Sequence, residues 1–441
     1  SMLYRNTEDP DNPHGGPMFV VSHGLRQMSP GLAGLGRWIG YVFCVTVLVS
    51  AVTGGNMFQA WNVGTVTELN FGVPALATGL VLAIITALVI IGGIQRIGAV
   101  ASRLVPFMCG LYLVAASYAL LANIGEVPGL FRLIFASAFS PTEAQGAFVG
   151  GTFGYAFLWG MKRALFSNEA GQGSAPIAHA AARTDEPVRE GIVAGLGPFI
   201  DTIVVCSLTA LVILVSGAWN RPPAAILEPA PQVVELAGGQ WTLETGTLPD
   251  ESETPWTAGQ GVFVLLDTGT TDPQTNSPLV EFHGTVAETD SGFIVNWDTY
   301  AGEQAPTASS GIYVVYTGAS LTSYAFDRVH AGLGRWLVTL ASWLFAISTM
   351  ISWSYYGEQG VVFLLGARWV RSYKLIYCIL IIVATSGFIT TDQELDAFTS
   401  LGTGVMLFAN IPIILIFSKQ AMGRYHEYVG RLRSGRMPRT C

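Results

Sequence analysis

Long apolar runs recur along this chain and leave few folds open to it. They cover residues 38–61, 73–94, 104–124, 148–166, 192–215, 336–353, 373–389 and 398–417. About 20 apolar residues in a helix cross the hydrocarbon core of a bilayer. Lipid offers no partner to a backbone N–H or C=O, so such runs must be helical. Charged residues make up only 12% of the chain and hydrophobic ones 51%, where a soluble domain carries roughly 25% charged residues. The expected fold class is an all-α polytopic membrane protein with about eight spans. The stretch 131–138 is short and amphipathic and is expected at the surface.

Residues 218–330 break this pattern. Prolines stand at 222, 223, 229 and 231, and period-2 runs at 261–266, 293–297 and 311–316 are separated by Gly, Asp, Asn and Pro turns. Such spacing predicts short strands, and hence a small inserted β-domain. Its many acids face only Arg221 and Arg328. The expected organisation is a membrane core over 1–217 and 331–418, the β-insert over 218–330 and a basic tail over 419–441, with 1–37 polar and loop-like. An eight-span count puts both ends on one side. That side carries most of the 22 Lys and Arg residues, leaving Arg132, Arg221, Arg328 and Arg335 opposite. The positive-inside rule makes the basic side cytoplasmic and the insert extracytoplasmic.

No nucleotide loop, metal-ligand cluster or nucleophile–base pair stands out, so an enzyme is not expected, nor a nucleic-acid partner. Cys44, Cys109, Cys206, Cys378 and Cys441 show no CxxC or Cys/His spacing. Neither a disulfide nor a zinc site is expected from them.

The most distinctive stretch is 162–182, KRALFSNEAGQGSAPIAHAAA. Charge and glycine beside an apolar span are costly unless they line a cavity or sit at a membrane edge. Composition alone suggests an interfacial loop capping two helices. The FSNEAG, GSAP and AHAAA runs, however, resemble the signature of the alanine or glycine:cation (sodium) symporter family. Pro187-Val188-Arg189 with Gly191, the run FIDTIVVC at 199–206 and FAISTMISWSYYGE at 345–358 are similar to the same family. So is the YR…GGPM pattern near the start, which in the family follows the second helix. On that resemblance the chain is expected to be N-terminally truncated, without the family's first, partly unwound helix.

The resemblance implies a LeuT-like inverted-repeat core, here partial, with broken helices holding substrate and ion near the midplane. It implies sodium-coupled symport of alanine, glycine or a similar small amino acid across the cytoplasmic (inner) membrane by alternating access. Sodium is the coupling ion, no other cofactor is implied, and the partners are the amino acid, sodium and the lipid bilayer. A proton-coupled or broader-specificity transporter remains an alternative, as does a membrane-tethered sensor with a degenerate core.

Gln59 shares a helix face with Gly55 and Asn56, and by the GNMFQ run it matches a substrate-contacting glutamine; an interhelical hydrogen bond is the other reading. Asn56 is placed at the substrate with it. Trp353 matches a pocket tryptophan, or else anchors at the interface. The Ser348 and Thr349 hydroxyls match a sodium site. Gly150-Gly151 either breaks a helix for the substrate carboxylate or lets helices pack closely. Phe166, Ser167, Asn168, Glu169, Gly171 and Gly173 belong to the signature. Glu169 is expected to cap the helix starting near Ala175 or to pair with Lys162 or Arg163 at the cytoplasmic edge. Asp201, inside an apolar run, is either functional or an acceptor for neighbouring hydroxyls. His179 reads as packing rather than as a ligand. Two departures stand out: the 218–330 insert, and Trp61 where a small polar residue is commoner, which leaves substrate size open.

Overall fold

A computed structural model describes residues 1–7, 13–139, 153–236, 238–244, 246–249, 255–273, 275–302, 304–316, 318–388 and 392–435. The first half is helical: α1 (Pro17–Met28), α2 (Ala33–Val52), α3 (Phe58–Phe71), α4 (Ala75–Ile90), α5 (Gly93–Ala122), α6 (Val127–Ala138), α7 (Phe153–Asn168), α8 (Ala175–Ala180), α9 (Pro187–Phe199) and α10 (Ser207–Val215). Strands follow: β1 (Ala225–Ile226), β2 (Val233–Leu236), β3 (Gln240–Leu243), β4 (Gly261–Asp267), β5 (Leu279–Thr289), β6 (Gly292–Trp297), β7 (Tyr300–Ala301) and β8 (Thr307–Val314). The chain ends in α11 (Ala319–Val329), α12 (Leu333–Leu365), α13 (Val370–Ala384) and α14 (Asp392–Arg433).

Among the described residues, five helical stretches are long and apolar enough to cross a membrane: Pro30–Phe71, Gly93–Ala122, Pro187–Val215, Leu333–Leu365 and Leu395–Arg433. The runs 73–94 and 373–389 fall on the shorter α4 and α13. The run 148–166 begins outside the described residues and continues as α7. Many large apolar side chains stay uncovered, among them Phe408 at 79% and Ile91 at 73% exposure. Exposed apolar surface on this scale marks an interaction surface, and on helices of this length that surface suits lipid.

Two compact units divide the chain. The first comprises Ser1–Ala115, Lys162–Leu208 and Trp336–Cys441. Its core gathers Phe43, Val47, Leu82, Ile90, Met350, Ile351, Tyr355 and Tyr377 from α2, α4, α12 and α13. Small residues set the helix spacing. A side chain at Gly402 of α14 would strike Ser50 of α2, and one at Gly40 would meet the Phe363 ring. Close backbone approach of this kind is how helices gain packing where no water drives them together.

One expectation is corrected within this unit. The stretch 1–37, expected to be loop-like, holds a helix at Pro17–Met28, and this α1 buries Met18, Val21 and Leu25 against α2 and α14. It is only 12 residues long, below the length at which an apolar run declares itself. The basic stretch expected from 419 onward is helical up to Arg433. α14 continues unbroken through Pro412 to Arg433. There Arg431 donates two hydrogen bonds of 2.9 Å to the Glu186 carboxylate at the start of α9, a paired geometry that favours arginine.

The second unit comprises Ala116–Met161 and Thr209–Arg335. Its strands form an antiparallel sheet in the order β1-β8-β4-β5-β6 and a smaller one in the order β2-β3-β7. Along β5, buried Phe282 and Val286 alternate with outward Glu281 and His283, the two-residue period of a sheet with one covered face. They pack on Val262, Val264, Val295 and Ile312. Arg221 lies over the Tyr316 ring at 5.1 Å and donates to the Val314 carbonyl at 2.6 Å. Burial there lowers the pKa of its guanidinium below the ordinary value. The 218–330 segment is not strand throughout, since Ala319–Val329 is helical and buries Ser320, Ser323, Ala325 and Phe326. These lie at helical spacing, and their small polar members hid the period.

Gly36 faces α1 so closely that an added Cβ would lie 2.7 Å from the Val21 carbonyl oxygen. Gly36→Val should cost about 1–3 kcal/mol through overpacking. It should lower the melting temperature in detergent and speed proteolysis within α1, whereas an unchanged melting profile would show that α1 is loosely held.

Candidate functional site

The site is built around a π-helical turn, Thr53–Met57, that joins α2 to α3. Its sequence, Thr-Gly-Gly-Asn-Met, is a poor α-helix former. The Phe58 N–H reaches back five residues to the Thr53 carbonyl. Single π turns inside long helices often occur at functional positions. In the first unit, four elements converge on this one.

Trp353 of α12 lies directly on Gly55, where an added Cβ would stand 2.3 Å from the indole Cγ. Thr399 of α14 and Phe166 of α7 lie on Gly54 in the same way. Phe166 also meets Phe58 edge-on with ring centroids 5.6 Å apart. Asn56 Nδ2 donates to the carbonyl of Tyr377 on α13 at 2.7 Å, and the Tyr377 hydroxyl reaches the Gly55 carbonyl at 3.3 Å. Asn56 is fully buried, and its Oδ1 has no hydrogen-bond partner among the described residues. Gln59 Nε2 folds back onto the Gly54 carbonyl at 3.1 Å. Two of the sequence candidates, Asn56 and Gln59, are thus gathered with Trp353 around one turn.

The signature loop abuts this cluster. α7 ends at Asn168, whose Oδ1 accepts from the Ala170 N–H at 2.8 Å. Glu169, Gly171 and Gly173 then take left-handed backbone angles, with φ of 55°, 81° and 97°. Asn410 of α14 donates to the Gly171 carbonyl at 2.8 Å, and Gln172 Nε2 donates to the Leu165 carbonyl. The Ser174 hydroxyl donates to Glu169 Oε2 at 2.6 Å. Glu169 thus meets Ser174, the residue that opens α8, the helix it was expected to cap, while Arg163 pairs with Asp396 at 3.3 Å.

Asp201 sits in a second π-helical turn, Ile200–Cys206. It is only half-buried and accepts from the Ser167 hydroxyl at 2.6 Å, while Asn168 Nδ2 donates to Thr202 at 3.0 Å. The signature thus fastens α7 to that turn. His179 Nδ1 lies 2.6 Å from Glu190 Oε1. On α12, Ser348 is buried and donates to the Phe345 carbonyl of its own helix at 2.8 Å, with Thr349 half-buried beside it. Both stand about one turn before Trp353. Gly150 and Gly151 lie outside the described residues. Sequence reasoning missed Tyr377, Thr399 and Asn410. A tyrosine inside an apolar run carries no signal of its own until its neighbours are known.

A helical scaffold with several spans long enough for a membrane, and glycine-centred breaks covered by side chains, defines the class of a multi-pass membrane protein. The sequence profile described as the Sodium:alanine symporter family matches residues 1–242 and 290–440. The unmatched part holds β4 and β5. The sodium/alanine symporter AgcS of Methanococcus maripaludis is 33% identical over 418 residues, which is 95% of this chain and 70% of that protein. An uncharacterized transporter of Haemophilus influenzae is 30% identical over 421 residues, with the same two shares. A putative sodium/proton-dependent alanine carrier protein, YrbD of Bacillus subtilis, is 26% identical over 425 residues, 96% of this chain and 69% of that protein. The chain belongs to the sodium:alanine symporter family. That is a family of transporters, not of enzymes.

Gly173 combines a φ of 97° with a tight seat, where an added Cβ would come within 2.8 Å of both Phe43 and Pro17. Gly173→Ala should therefore destabilise by about 1–3 kcal/mol, from strain and crowding together. A fall in melting temperature is expected, and the same change at exposed Gly98, which has open space around it, should be silent.

Proposed function

We propose that the chain carries out sodium-coupled symport of alanine, glycine or an amino acid of similar size. The observation that supports it most is the convergence of Gly54, Gly55, Asn56, Gln59 and Trp353 on one helical irregularity. An amino acid is a zwitterion and needs acceptors at one end and donors at the other. Around the turn, the Gly54 and Gly55 carbonyls, Asn56 Oδ1 and the Gln59 amide oxygen suit the ammonium group. The Trp353 indole forms an apolar wall for the side chain. Its contact on Gly55 leaves little space, which favours a methyl group or a hydrogen over a larger side chain. On α12, Ser348 and Thr349 offer hydroxyl oxygens of the kind that sodium prefers.

On this reading the helices form a LeuT-like core that exposes the site to each side of the cytoplasmic (inner) membrane in turn, with about eight spans. The distribution of Lys and Arg supports a cytoplasmic location for both ends and an extracytoplasmic one for the β-region. The name of the Bacillus subtilis carrier, sodium/proton-dependent, keeps proton coupling as the rival within transport.

Binding of radiolabelled alanine to the full chain with and without sodium tests the reading, followed by uptake into proteoliposomes. Tighter binding with sodium is expected, and sodium-indifferent binding without accumulation would point to a sensor. Gln59→Ala and Trp353→Ala should each weaken alanine binding by roughly five- to hundred-fold, the cost of an unpaired buried group or an emptied wall. Normal affinity in both would remove them from the pocket.

The β-region should be dispensable for this binding. β1 pairs with β8, Ala225 opposite Ile312, so the chain enters and leaves the sheet side by side. Loop closure depends weakly on length, with each doubling costing about 0.6 kcal/mol. Replacing residues 222–316 by a short Gly/Ser joint should leave alanine affinity within a few-fold. A collapse of binding in a well-inserted protein would make this region part of the site.

A further inference from the structure

Tyr377 is fully buried on α13 and touches both halves of the site. Its hydroxyl lies 2.9 Å from the Met350 carbonyl of α12 and 3.3 Å from the Gly55 carbonyl of the π-helical turn. Its own carbonyl accepts from Asn56 Nδ2 at 2.7 Å. That last bond fixes the amide of Asn56, so that Nδ2 is engaged and Oδ1 is left as the available acceptor. Met350 directly follows Ser348 and Thr349. One turn earlier on the same helix, Tyr373 has its ring 5.7 Å from that of Tyr377, yet its buried hydroxyl has no hydrogen-bond partner among the described residues.

A tyrosine hydroxyl has one hydrogen to give. With two carbonyls in reach it donates fully to only one at a time, and the shorter distance favours Met350. A small shift of α12 that lengthens the Met350 contact therefore frees the hydrogen for Gly55, and a shift of the turn acts in reverse. Two sites that bias one shared element are coupled, and the coupling is reciprocal.

We propose that Tyr377 is the positioning residue through which cation occupancy at Ser348–Thr349 sets the geometry of the amino-acid turn Thr53–Met57. The proposal rests on the sodium-coupled reading above. It assigns Tyr377 no contact with either ligand.

Alanine affinity is measured at saturating sodium and in sodium-free choline buffer for the wild type, Tyr377→Phe and Tyr373→Phe. Coupling between two sites typically amounts to about 5–150-fold in affinity. Tyr377→Phe should shrink the sodium-dependent gain at least about fivefold, with sodium-free affinity near the wild-type value. Tyr373→Phe should keep the full gain. A gain unchanged in Tyr377→Phe overturns the proposal, and so does an equal loss of affinity in both buffers, the mark of a hydroxyl that only packs. A second measurement needs no variant. In the wild type, sodium alone should alter amide hydrogen exchange at both 348–353 and 53–57. A change confined to 348–353 overturns the coupling and leaves sodium binding standing. No change at either segment, together with sodium-indifferent alanine binding, overturns the symport reading itself.

Discussion

Backbone groups in an apolar surrounding can hydrogen-bond only to the protein itself, and the first unit is arranged around that constraint. An unbroken α-helix meets it without help. Each departure from the α-helix needs partners brought from elsewhere. The turn at Thr53–Met57 has Tyr377 on its Gly55 carbonyl and Gln59 on its Gly54 carbonyl. The loop after α7 has Asn410 on Gly171 and Asn168 on Ala170. The second π turn, at Ile200–Cys206, is braced by Ser167 and Asn168.

The same constraint explains which parts were legible in the sequence. Long apolar runs announced the helices, because composition alone sets them apart from a soluble chain. Period-2 alternation announced the strands at 261–266 and 293–297, which became β4 and β6. α1 was illegible because it is short and hides its apolar face only by packing on α2. α11 was illegible because small polar residues occupy its buried side. Neither carries a periodic signal that survives without the partner.

The site was legible to a different depth. Asn56, Gln59 and Trp353 stood out through polarity in an apolar run or through resemblance, and the structure brings them together. Glu169 was legible as a residue near the start of α8, though the left-handed backbone it adopts there was not. Tyr377 was not legible at all. Its importance lies in the distance to two carbonyls from other helices, and no local pattern encodes a distance across more than 300 residues of chain.

The contact of Trp353 on Gly55 has a consequence for how this protein can change over generations. There is no slack between the two, so position 55 cannot gain a side chain while the indole stands at 353. Variation must therefore arrive in a fixed order. A smaller residue at 353 comes first and opens room, and only then is a change at 55 tolerated. Lineages that shift toward bulkier cargo should carry the mark of that order, with the two positions inherited as a pair and the tryptophan the first to go.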